Sequence, residues 1–161
     1  LNLVSGQPVN ELNVTIAGSD THQELEDNPP AGFEPSRTRG PFSSHNGPFY
    51  HKTSAEGFWH GLRLRHRHCN SRGIVHGGML MTFADGVLAT AVFREVKRPS
   101  VTMKINAEFL ASAKEGGWLQ GTAHVTQVDG DVVFVRGHIE SEGRQVVAAT
   151  GVFKLLGGEG R

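Results

Sequence analysis

Asp85 is the residue whose setting most invites a chemical reading. It is the sole charged side chain between His76 and Arg94, in a stretch otherwise apolar or small. A carboxylate taken out of water costs several kcal/mol unless it is paired, hydrogen-bonded or open to a wet cleft. Aspartate is also a mediocre helix former. Two readings stand side by side. Asp85 is a satisfied buried acid that fixes a neighbouring strand or a subunit contact, or it lines a cleft as a general base or nucleophile. His76-Gly77-Gly78 opens the same stretch. The first N–H groups of a helix have no partner within it, and the helix dipole makes that end partly positive. Two glycines leave those N–H groups open to a developing oxyanion, or simply allow a tight entry into the helix. The place of His76 beside a positive helix end argues for a hydrogen-bonding rather than a cationic role.

A second group of residues is tested against metal and phosphate chemistry. His66 and His68 form an i, i+2 pair next to Cys69, with His60 on the same side of an alternating segment. Such a pair can chelate zinc, but no carboxylate or further ligand stands at suitable spacing, so no metal is expected. Arg63, Arg65 and Arg67 alternate on the opposite side. They read as a solvated sheet face or, more sharply, as a contact for a phosphorylated ligand.

The elements that position these residues follow from periodicity. Residues 58–68 alternate with period two and predict a strand, with a shorter one over about 48–55. Residues 69–75 predict a loop. From His76 to about Arg94 the apolar positions Met79, Leu80, Phe83, Ala84, Val87, Leu88, Ala91 and Val92 repeat at helical spacing. That helix is about 29 Å long, and Pro99 closes the segment. Beyond it, alternation over 101–109, 118–128, 131–141 and 144–156 predicts four strands. Asp129-Gly130 is a strong hairpin signal and Glu142-Gly143 a weaker one. An antiparallel meander of these four is expected. Residues 1–46, rich in Pro, Gly, Ser and charge, predict an irregular arm that packs in pieces or is partly disordered, with a short helix possible in sequence near 19–27. Residues 157–161 predict a flexible tail. The order strand, strand, helix, four strands gives an α+β fold in which a curved antiparallel sheet of five to six strands wraps one central helix. The side of the helix left uncovered would meet a second copy of the chain.

The chain has 161 residues, enough for one domain with a real core. Sixteen Lys and Arg balance sixteen Asp and Glu, which argues against a nucleic-acid partner. The single cysteine excludes an intrachain disulfide framework and any multi-cysteine metal cluster. No stretch approaches the apolar length of a membrane span, and residues 1–24 lack the basic start and apolar run of a secretory signal. A cytoplasmic protein is the expectation.

The run Asn70-Ser71-Arg72-Gly73-Ile74-Val75-His76-Gly77-Gly78, followed by Asp85 inside an apolar helix, resembles the hotdog-fold thioesterases. The nearest branch is the phenylacetate-pathway (PaaI-like) type, which also includes the mammalian acyl-CoA thioesterase 13 type. The resemblance spans roughly residues 47–156. It implies a hotdog fold and hydrolysis of an acyl-CoA thioester to a carboxylate and free CoA, with no cofactor. Carried over by position, Asp85 would activate the attacking water or attack directly, and the Gly77 N–H would polarise the carbonyl. Asn70 would hold the carbonyl or its own loop. His76 would support Asn70 or lie near the sulfur. Thr102 falls where the family has a water-assisting hydroxyl, and Asn106 lies further along that strand. The resemblance also implies a homodimer, pairing into a tetramer, in which Asn70, His76 and Gly77 of one copy face Asp85 and Thr102 of the other. The long arm departs from the short members of the family. Two other expectations compete: a hotdog hydratase, whose acid and histidine are spaced differently, and a non-catalytic module that binds acyl-CoA.

Overall fold

The computed structural model describes residues 26–37, 40–55 and 57–157. In chain order they form β1 (Glu34–Pro35), α1 (Pro41–Asn46), β2 (Phe49–Ser54), β3 (Gly57–Arg63), a 3₁₀ turn (His66–His68), α2 (Gly77–Val96), β4 (Ser100–Phe109), β5 (Trp118–Asp129), β6 (Val132–Ser141) and β7 (Arg144–Leu155). The strands make one antiparallel sheet in the order β1-β2-β3-β5-β6-β7-β4. This is the α+β hotdog arrangement, with six long strands and the two-residue β1 curved about α2.

Helix α2 starts because the His76 side chain caps it, Nδ1 accepting from the Gly78 N–H at 2.9 Å. It ends where Lys97 enters the left-handed region at φ 54°, with Pro99 two residues on to forbid continuation. Met79, Leu80, Phe83, Ala84, Val87, Leu88 and Val92 are buried on the concave face of the sheet. Their partners include Leu62, Leu119, Val133, Ile139, Val147 and Phe153. Met81, Thr82, Asp85, Gly86, Ala89 and Phe93, one stripe along the helix, are only half-buried or exposed. The helix is therefore covered on most of its circumference and open along one line. Among the described residues no helix is long and apolar enough to cross a membrane.

Two expectations are corrected here. The strand predicted over 58–68 stops at Arg63, because the backbone turns into the 3₁₀ helix at His66. The four C-terminal strands are not a simple meander, since β4 lies beside β7 at the far edge while β5 pairs with β3. The reason is the eight-residue link between β4 and β5, which finds its own partners. Leu110 N–H donates to Val146 O, Val75 N–H to Ala113 O and Gly116 N–H to Leu64 O. A link held in that way crosses the end of the barrel-like sheet instead of folding back as a hairpin. The two tight turns do form. Glu142 and Gly143 both take positive φ, as a two-residue hairpin turn requires, and the other turn sits at Gly130-Asp131, one residue later than predicted.

The second half of the arm is ordered onto the sheet. Phe33 packs edge-on to Trp118 at 5.1 Å and is buried with Tyr50. A Cβ on Gly61 would collide with the Trp118 and Phe33 rings, so this close approach of the arm needs glycine. Asp27 is the anchor. Its carboxylate accepts from Tyr50 Oη and from Arg65 Nη2, each at 2.8 Å, and its carbonyl accepts from Arg63 Nε at 2.8 Å. Burial, then the hydrogen bond to Asp27, pushes the Tyr50 phenol above its usual range. The helix predicted near residues 19–27 falls mainly outside the described residues, and Glu26 and Asp27 are not helical. The Asp27–Arg65 pair is largely buried, at 13% and 15% side-chain exposure. Asp27→Ala should therefore lower stability by about 1–3 kcal/mol. Urea unfolding of parent and variant checks this; an unchanged midpoint would mean that the arm is not anchored there.

Candidate active site

Asp85 lies on the open stripe of α2, half-buried and off the sheet-facing core. Its Oδ1 accepts a hydrogen bond from Thr102 Oγ1 at 2.7 Å, across from the edge strand β4. The register of β4 on β7 shifts between Thr102 and Lys104. Such a bulge re-aims side chains, and it sits immediately after the hydroxyl that meets Asp85. Thr102 holds one carboxylate oxygen, and the other has no protein partner among the described residues. A carboxylate held by one oxygen can receive a proton on the second. The acid opens on a cavity of about 800 Å³, walled by Phe42, Pro48, Phe49, Met81 and Ile105.

The helix entry is a second, separate group. Asn70 Oδ1 accepts from the Arg72 N–H at 2.9 Å, while its own N–H donates to Ile74 O and its carbonyl accepts from Gly73. Asn70 thus ties the 70–74 loop upon itself. The loop is fixed in turn by His76 N–H donating to His68 O at 2.8 Å. No hydrogen bond joins His76 to Asn70 among the described residues; Nδ1 of His76 accepts from the Gly78 N–H instead. Gly77 is the first residue of α2. Its N–H has no acceptor among the described residues, and a Cβ there would meet only the Phe109 ring at 3.7 Å. This end of α2 can therefore offer a donor to an oxygen from outside.

The structure brings Asp85 to Thr102, and Asn70, His76 and Gly77 to one another, but it does not bring the two groups together. At a rise of 1.5 Å per residue, Asp85 lies about 12 Å along the axis from Gly77. No single thioester carbonyl spans that gap. Asn106 lies further along β4, exposed and apart from both groups.

The remaining candidates have structural partners. His66 and His68 do not share a strand face. His66 Nδ1 meets Glu115 Oε2 at 3.1 Å, and His68 uses both ring nitrogens on the backbone, with Arg65 N and Asn46 O. No group of three metal-ligating side chains is gathered among the described residues. His60, buried, meets Thr90 Oγ1 at 2.8 Å. Burial pushes the Cys69 thiol up, away from the thiolate that a nucleophile needs. The three arginines do not form one stripe, but Arg65 and Arg67 line the same cavity as Asp85. Arg63 binds the carbonyls of Asp27, Asn28 and Gly116, and Arg67 binds Gly47 O. The cavity wall contributed by α1 was not legible as such in a segment that looks irregular. The one signal for it is Gly40-Pro41, since proline favours the first turn of a helix.

An antiparallel sheet curled about one central helix defines the class as a hotdog fold. Residues 72–148 match the thioesterase superfamily. A Pseudomonas aeruginosa protein named as an esterase is 35% identical over 131 residues, covering 80% of this chain and 98% of that one. The chain belongs to the thioesterase superfamily. Among solved structures, a phenylacetic acid degradation-related protein of Ralstonia eutropha superposes with a TM-score of 0.64 at 24% identity, over 73% of this chain and 92% of that one. A Bacillus halodurans protein crystallised with CoA gives 0.59 at 24%, over 64% and 70%. At these identities the structures show a shared fold.

His68 provides a check on the scaffold beneath the site. It is 2% exposed, and burial, then the neighbouring Arg67 charge, holds its imidazole below the usual histidine range. The unfolded chain therefore takes up that proton first, and stability falls as pH drops below about 6.5. His68→Gln should lose less stability than the parent between pH 7.5 and 5.5, read as the change in urea midpoint. An equal loss in both proteins would contradict the assignment.

Proposed function

We propose that the protein hydrolyses acyl-CoA thioesters, with Asp85 as the general base and the Gly77 N–H of a second copy as the carbonyl donor. The observation that carries this is the Asp85–Thr102 pair opening on a cavity with apolar and basic walls along the uncovered line of α2. A CoA-bound neighbour of the same fold supports the substrate class. The family's chemistry is thioester hydrolysis, and these residues are suited to it.

In this reaction a water held by the free carboxylate oxygen attacks the thioester carbonyl and gives its proton to Asp85. Thr102 keeps the carboxylate turned toward that water. Negative charge collects on the carbonyl oxygen, where the Gly77 N–H and the positive end of α2 stabilise it. Collapse of the tetrahedral intermediate breaks the C–S bond, and the proton on Asp85 goes to the departing CoA sulfur. A carboxylic acid and CoA leave. Asn70 acts by holding the 70–74 loop and the helix start; His76 acts by capping the helix, which keeps the Gly77 N–H pointed outward.

Oligomerisation follows from the 12 Å separation and from what lies beside it. Strand β4 is an edge strand of ten residues that leaves Val101, Met103 and Phe109 exposed, with Phe93 exposed on α2 nearby in the open stripe. A long edge with an apolar surface pairs readily with another strand. Two copies related by a two-fold axis perpendicular to β4, with their edge strands antiparallel, would each cover the other's open stripe and complete two sites.

Thiol release from a panel of acyl-CoAs tests this. Asp85→Asn, nearly isosteric, should lower kcat by about two or more decades with fold and oligomer intact. Gly77→Pro deletes the N–H in question and adds a ring whose Cβ would meet Phe109 at an ordinary 3.7 Å. Proline is at home in the first position of a helix, and His76, at φ −63° and ψ 135°, already has the backbone that precedes proline. A loss of about 10²-fold is expected. Parental turnover in either folded variant would remove that residue from the mechanism. CoA esters that bind the parent without any hydrolysis would point to a non-catalytic binding module.

A further inference from the structure

We propose that α1 caps the acyl cleft and that Phe42 sets which acyl groups fit, so that the arm, not the sheet, determines this chain's substrate range. The inference rests on the thioesterase reading above and concerns the same site.

Helix α1 buries no side chain, so it contributes nothing to core packing. It is nevertheless fastened at several points. Asn46 O accepts from His68 Nε2 at 3.0 Å, and Gly47 O accepts from Arg67. The chain leading into it is tied by Ser36 N–H to Phe49 O at 2.8 Å and, further back, by the Asp27 anchor. A six-residue helix is too short to hold itself in water. This one is held by its surroundings at a fixed place over the cavity.

What it places there is Phe42, a large apolar ring that is 65% exposed and lines the same cavity as Asp85. Phe49, Met81 and Ile105 supply further apolar surface of that cavity, while Arg37, Arg65 and Arg67 line its charged side. A thioester carbonyl at Asp85 must send its acyl group into this space. The apolar part of this lining suits an apolar acyl group, straight-chain or ending in an aryl ring, and Phe42 is the wall that limits its length. An acetyl group is too short to use the cap.

The test measures kcat/KM for butyryl-, hexanoyl-, decanoyl- and phenylacetyl-CoA with the parent, Phe42→Ala and Phe42→Trp. Opening the wall should raise the decanoyl-to-butyryl ratio by about tenfold in Phe42→Ala, and closing it should lower the ratio in Phe42→Trp. The phenylacetyl value distinguishes aryl from straight-chain use. Molecular mass by sedimentation is followed in each variant. Ratios that stay within about twofold of the parent in both variants overturn the cap. So does a ratio that moves only when the mass moves, because α1 would then be a contact between copies. Calorimetric binding of the same esters to Asp85→Asn and to the Asp85→Asn, Phe42→Ala double variant reads the cap without turnover. A chain-length shift there, with no hydrolysis by the parent, would sink the thioesterase reading and leave the cap standing. Hydrolysis without a shift in either readout would sink the cap alone.

Discussion

A sheet that curls around a helix can cover only part of its circumference, and on α2 the rest of the molecule is arranged about the line left over. The buried positions meet β3, β5, β6 and β7. The uncovered line holds the one acid of the segment, half-buried, with a hydroxyl from the edge strand at 2.7 Å. Had Asp85 faced the sheet, its desolvation would have demanded a buried partner. Facing off the sheet, it needs only Thr102 and whatever enters the cavity. With β4 placed beside β7 at the edge of the sheet, its Thr102 reaches the helix.

That line also makes one copy incomplete. The donor-bearing start of α2 and the acid in its middle are held rigidly by a single helix, and a rigid helix cannot fold its own start back onto its middle. Sharing the site between two copies, as proposed above, would turn this limit into an arrangement in which one subunit supplies the acid and the other the polarising N–H. The exposed apolar residues of β4 would give two copies a reason to associate that is independent of the chemistry.

Much of this was legible in the sequence because the strongest signals are the local ones. The period-3.6 pattern, with His76 at its start and Pro99 beyond its end, located α2 to within two residues at either end. Asp85 stood out because burial and charge conflict. The chain route was harder. Alternation reports that 101–109 is a strand but not which strand it joins, and the link to β5 is long enough to cross the fold. The alternation through 64–68 misled because the same residue types serve a 3₁₀ turn whose His68 bonds to the backbone. The arm hid its role for a different reason. Its contacts are between single residues, Asp27 to Arg65 and Phe33 to Trp118, and leave no periodic trace. Phe42 had no signal at all beyond the Gly40-Pro41 helix start.

The claim on which the account rests is that one working site needs residues from two copies. Complementation measures it directly. Gly77→Pro and Asp85→Asn proteins, each nearly inactive, are unfolded, mixed in equal amounts and refolded together. Half of the resulting pairs are mixed, and each mixed pair has one site with both parental residues, so the account predicts recovery of about a quarter of parental turnover. A mixture as inactive as its two components, with exchange between copies demonstrated by mass, would contradict it: Asp85 and Gly77 would then act within one chain or not act on the same substrate.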